Sequence, residues 1–116
     1  MIHLNFFETI YLHREYVDFR KSINGLAAIV QEEMRLELFS KSLFIFCCKD
    51  RRRIKILYWD KTGFVLCYKR LEEDRFPWCL NEEGDVLQIS KPDLKLFLRG
   101  INIWQIHKEK KYFRYC

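Results

Sequence analysis

The chain has 116 residues, 49% hydrophobic and 16% aromatic, which is material for one compact core and leaves no room for several domains. Four Gly and two Pro exclude linker, collagen-like and low-complexity stretches. A formal charge of +5, from 21 Lys and Arg against 16 Asp and Glu, describes a basic globular domain suited to an anionic partner.

In chain order, the opening MIHLNFFETIYLH carries histidine and acid early and has no positive leader segment, and no apolar run approaches the roughly 18 residues of a spanning helix. A cytoplasmic location without a membrane partner is expected. Five Cys, two of them adjacent (Cys47, Cys48) and none in a CxxC pair, encode neither a closed disulfide framework nor a zinc site. Reduced thiols acting as small hydrophobes are the simpler reading.

Phe19, Ile23, Leu26, Ala27, Val30 and Met34 recur at helical spacing and predict an amphipathic helix over about Phe19 to Leu36, with Asp18 as its N-cap. Gly25 inside it suggests close packing against another element. The period then shortens: SLFIFCC (42–48), IKILYW (54–59) and FVLCYKR (64–70) read as a three-stranded antiparallel meander. The loop Asp60 to Gly63 closes a hairpin, with Gly63 free to take positive φ. If Trp59 opposes Phe64, one face carries Trp59/Phe64, Leu57/Leu66, Lys55/Tyr68 and Arg53/Arg70. DVLQIS (85–90) reads as a short strand after a turn ending at Gly84. Ser90 and Asp93 then form a capping box around Pro92, and Leu94, Phe97, Leu98 and Ile101 line a short helix that Gly100 ends.

The expected fold is α+β: a central antiparallel meander, one long amphipathic helix packed on it, and a short C-terminal helix. Residues 1–104 are read as a single domain and 105–116 as a charged, loosely held tail.

The charge is uneven. Residues 41–75 hold 10 basic and 5 acidic side chains, and Lys49, Arg51, Arg52, Arg53 and Lys55 fall within seven positions. Lys69, Arg70 and Arg75 follow. Arg53 opposite Arg70 is a like-charge pair that a bound phosphate would relieve, and Tyr68 and Trp78 could stack on bases. The alternative is internal neutralisation by Glu72, Glu73 and Asp74. Arg20 and Lys21, read into the first helical turn against the macrodipole, suggest a second phosphate site, unless Arg20 merely pairs with Asp18 or Glu15. No GxSxG, HExxH or P-loop pattern is present, and His3, His13 and His107 lie in terminal segments. Scattered carboxylates such as Asp18, Asp50, Asp60 and Asp85 leave a metal-dependent nuclease as a remote alternative.

Three segments, DFRKSINGLAAIVQ (18–31), LFIFCCKDRRRIKILYWDKTGFVLCYKRLE (43–72) and RFPW (75–78), together resemble the small accessory protein of insertion sequence 66 type elements, called TnpB or Orf2-like. The resemblance runs from about Asp18 to Gly100. The much larger RNA-guided nucleases that share the TnpB name are a different family. The resemblance implies a non-catalytic, cofactor-free accessory of DNA transposition, working beside a separate transposase. Departures from the family pattern fall at Phe19, Ser22 and Asn24, where Met, Gly and Asp are usual, at Cys48 to Asp50, and at Asp74, where Gly is usual. The expected partners are DNA, as element ends or non-specific duplex, and the transposase with other proteins of the same element. The contacts would come from Arg20, Lys21, Lys49, Arg51, Arg52, Arg53, Lys55, Tyr68, Lys69, Arg70, Arg75 and Trp78. The rival expectation is a protein-interaction module docking on the transposase through aromatics around Trp59, Phe64 and Trp78.

Overall fold

A computed structural model of the chain describes residues 3–106, and the tail expected over 105–116 lies outside them from residue 107 onward. The first strand, β1, spans Thr9–His13. After a looping segment, α1 (Ile23–Ala28) passes directly into a π-helical turn, Ile29–Glu33. Three strands follow: β2 (Ser42–Cys47), β3 (Arg53–Asp60) and β4 (Gly63–Arg70). An irregular segment leads to β5 (Val86–Ile89) and α2 (Lys91–Leu98).

The strands form one sheet in the order β4-β3-β2-β1-β5. β1 lies parallel to β2, and the other three pairings are antiparallel. All six residues of β2 are buried, as expected of a central strand covered on both sides. Phe44 and Phe46 face Leu26, Val30 and Met34 of the helical segment. Leu43, Ile45 and Cys47 face the opposite layer, where Phe76, Trp78, Leu94 and Phe97 pack. The sheet is thus sandwiched between α1 on one face and, on the other, α2 with the irregular segment before β5.

The α+β class stands, but two expected details do not. The sheet is a five-stranded mixed sheet rather than a meander, because β1 inserts between β2 and β5. The long helix is also shorter than its apolar spacing suggests. Asp18 does not cap it: its carboxylate accepts the Arg20 N–H at 2.9 Å and its carbonyl accepts from Lys21, making a separate turn. Helical geometry begins only after Ser22. At the far end Arg35 takes a left-handed φ of 55°, and the Leu36 N–H returns to the Val30 carbonyl, which stops further winding. Gly25 packs against the stem of Lys21, where an added Cβ would stand 3.1 Å from the Lys21 Cβ, so the close approach is to the preceding turn.

The hairpin register agrees with the sequence reading pair for pair, from Trp59 opposite Phe64 to Arg53 opposite Arg70. Its turn differs in one respect. Gly63 belongs to the strand, and Lys61 supplies the left-handed residue at φ 45°. Around α2, the Asp93 N–H donates to Ser90 Oγ at 3.2 Å, and Gly100 takes φ 81° beyond the helix end, the conformation that favours glycine there.

Because β2 is covered on both faces, Phe46→Ala should cost about 3–5 kcal/mol, a large part of the roughly 5–15 kcal/mol of a domain this size. Urea denaturation reads this as a lower midpoint at an unchanged slope. A loss under about 1 kcal/mol would contradict the central role of β2.

Candidate nucleic-acid interface

The parallel pairing of β1 and β2 brings both strand ends to the same end of the sheet. The β2–β3 turn, the end of β4 and the loop before α1 meet there. Backbone bonds fix the arrangement: the Leu71 N–H donates to the Arg52 carbonyl at 2.8 Å, Phe76 to Arg51 at 2.6 Å and Val17 to Cys47 at 3.0 Å. Most of the cations singled out in the sequence therefore share one end of the molecule.

Several of them already have partners. Arg53 Nη2 lies 3.1 Å from Asp50 Oδ2. Lys55 Nζ donates to the carbonyls of Phe19 and Lys21 at 2.8 and 2.9 Å, and the Phe19 ring lies beneath Arg53 and Lys55, with centroids 5.6 and 4.9 Å away. Lys55 is thus a strut that holds the loop before α1 onto the sheet. Arg70 Nε donates to Glu72 at 3.0 Å, so part of the expected internal neutralisation occurs. Arg20 pairs with Asp18 at 2.6 Å.

The helix-terminal phosphate site is not formed, since Arg20 and Lys21 precede α1 rather than occupy its first turn. Lys69 points to the opposite face and donates to the Leu98 carbonyl at 2.7 Å, which suits a cation at a helix C-terminus. Trp78 is corrected most sharply. Only 6% exposed, it donates through Nε1 to the Arg14 carbonyl at 2.8 Å and packs on Phe97, so it is a packing residue rather than an exposed stacking platform.

The remaining cations come from three segments that reach this end of the sheet. Lys21, Lys49, Arg52 and Arg75 are exposed, and among the described residues no ion pair reaches them. Arg51 is half-buried in a left-handed conformation with φ 60°, an arrangement that costs a residue other than glycine roughly 1–2 kcal/mol. Tyr68 is 53% exposed beside them.

The turn carrying these cations is organised by Asp50, which sequence spacing did not single out. Its carboxylate accepts from the Cys48 thiol at 2.8 Å, the Arg52 N–H at 2.8 Å and Arg53 Nε at 3.2 Å. The thiol bond first, then the Arg52 N–H and the Arg53 guanidinium, hold the Asp50 carboxyl below its usual range. Burial, with Asp50 beside it, pushes the Cys48 thiol up. Burial likewise raises Cys79 to about 12 and Cys47 further still, as apolar packing of neutral thiols requires. Among the described residues no three His, Cys, Asp or Glu side chains converge as a metal site, and no helix is long and apolar enough to cross a membrane.

The family model of the IS66 Orf2-like protein matches residues 8–108. The chain belongs to this family. The match extends the resemblance at both ends and takes in β1, which the resembling segments omit. Among curated relatives, the uncharacterized protein y4jC of Sinorhizobium fredii is 32% identical over 94 residues, covering 81% of this chain and 79% of the relative. The uncharacterized protein y4hO of the same organism is 31% identical over 100 residues, covering 86% and 85%. No solved structure matches the chain. Membership gives this IS66 Orf2-like protein an accessory role associated with transposition.

The pair at the loop before α1 gives a titration prediction. The Arg20 guanidinium, helped by the Arg20 N–H, holds the Asp18 carboxyl at about 2 against an ordinary 3.8. A depressed carboxylate adds stability above its unfolded pKa, and that contribution fades as pH falls from near 4 through 2. An NMR titration should show the Asp18 midpoint near 2 in the parent and closer to 3.8 in Arg20→Ala. An unmoved midpoint would remove Arg20 as the cause.

Proposed function

We propose that this IS66 Orf2-like protein is a non-catalytic accessory that grips DNA backbone with the basic end of its sheet during transposition. The observation that carries the reading is the meeting of Lys21, Lys49, Arg52 and Arg75 from three chain segments, exposed and without ion pairs among the described residues. Cations left without internal counter-charge are the groups that displace condensed counterions from a duplex. Arg51, Arg53 and Arg70 add positive potential behind them, and Tyr68 offers an exposed ring at the edge. Contacts of this kind position a protein on DNA without reading its sequence. The element's own transposase would supply the chemistry.

Anisotropy titration of labelled duplex, with element-end and scrambled sequence in parallel, should give an affinity that falls steeply between about 50 and 300 mM salt. The Lys49→Ala/Arg52→Ala/Arg75→Ala protein should bind more weakly, its log–log salt slope shallower by about 0.9 for each phosphate contact removed. A flat salt response, or a triple variant that binds like the parent, would overturn the reading.

One observation favours a second reading, a docking module for the transposase. Phe39 is 54% exposed and meets Trp59 edge-on at 4.9 Å, with Phe64 at 5.6 Å, forming an aromatic patch at the hairpin tip, the opposite end from the cations. Trp78 has no part in it. A Phe39→Ser/Phe64→Ser protein that loses transposase capture while keeping duplex affinity would support docking there, and unchanged capture would exclude it.

A further inference from the structure

A cleft of about 220 Å³ opens beside Arg51 at the basic end, between residues 77–82 and the helical turn after Asn102. Its lining combines four kinds of group. Trp104, half-buried and tied through Nε1 to the Pro77 carbonyl at 2.6 Å, supplies an aromatic wall held in place. Arg51 contributes a guanidinium, and Glu82 a carboxylate, and neither side chain has a hydrogen-bonded or ion-pair partner among the described residues. Asn81 adds an exposed amide. A donor fork and an acceptor that share a cleft without pairing leave both functions open to a ligand.

Size and polarity narrow the ligand. A cavity of about 150 Å³ accepts benzene when its walls are apolar, so this one is large enough for a heterocycle, and its walls require one with donors and acceptors on its edge. A nucleobase meets all three demands: a π-face for Trp104, acceptors for Arg51 and donors for Glu82. Proteins read extruded or unpaired bases with this combination of stacking and edge contacts.

We infer that this cleft binds a single nucleobase, presented by an unpaired strand of the DNA whose duplex backbone lies on the neighbouring basic turn. The inference deepens the proposed DNA contact and rests on it for the source of the base. It gives the protein a preference for frayed or extended ends over continuous duplex.

The test compares three probes: blunt duplex, the same duplex with a short single-stranded extension, and that extension made abasic. Deoxynucleoside monophosphates form a separate arm, read by tryptophan fluorescence. The base-bearing extension should bind at least about tenfold more tightly than its abasic counterpart. Asn81→Ala/Glu82→Ala, at one exposed and one half-buried position, should erase that difference and leave blunt-duplex affinity unchanged. Equal affinity for the two extensions without a response to mononucleotides overturns the cleft, even where every duplex binds and the backbone reading stands. A response to mononucleotides with equal affinity for the extensions moves the ligand to free nucleotides and overturns the role on DNA. Binding to none of the duplexes overturns the backbone reading, and the unpaired-strand ligand with it.

Discussion

The two-sided burial of β2 is the constraint on which the rest of the structure depends. A strand whose six residues are all buried requires a layer on each side, and Phe44 and Phe46 on one face with Leu43, Ile45 and Cys47 on the other divide the core accordingly. α1 is too short to cover its face alone. The π-helical turn extends it, with Ile29 and Val30 in the same cluster. The other face is closed partly by Phe76, Trp78 and Cys79, which belong to no regular element. Aromatics of that irregular segment are therefore core material, and Trp78 is fixed as a packing residue by the same requirement.

This arrangement also determines where charge can gather. β1 and β2 run parallel, so the loop after β1, the turn after β2, the end of β4 and the approach to β5 all emerge at one end. Cations distant in sequence are collected there, and the protein uses some of them internally. Lys55 holds the loop before α1, and Arg53 is divided between Asp50 and the Phe19 ring. Arg20 is likewise turned onto Asp18. Cations at the same end without such partners are the ones whose position packing does not explain, and the DNA proposal rests on that contrast.

Legibility from sequence followed locality. The β3–β4 hairpin could be registered residue by residue because its pairs are separated by a short turn and both strands alternate around it. The α2 cap was readable for the same reason, with Ser90 and Asp93 in one turn. β1 was not: TIYLH is five residues long, has no turn signals around it, and pairs in parallel with a strand some thirty residues away. Its insertion made the sheet mixed, and no local pattern announces a non-local parallel partner. The apolar spacing overstates the helix because Phe19 and Met34 keep helical spacing while standing outside it, Phe19 serving as a platform for Lys55. At the candidate interface the cations were visible as composition. Asp50 as organiser of the turn, the burial of Trp78 and the cleft under Trp104 were not, because each depends on segments far apart in the chain.

The proposed DNA-facing surface is the basic end of the sheet. Amide NMR spectra of the labelled protein, recorded while unlabelled duplex is added at low salt, test this most directly. Shifts should concentrate in residues 18–21, 48–53 and 68–76, with the hairpin tip around Phe39, Trp59 and Phe64 undisturbed. Shifts centred on that tip, or none anywhere at saturating duplex, would contradict it.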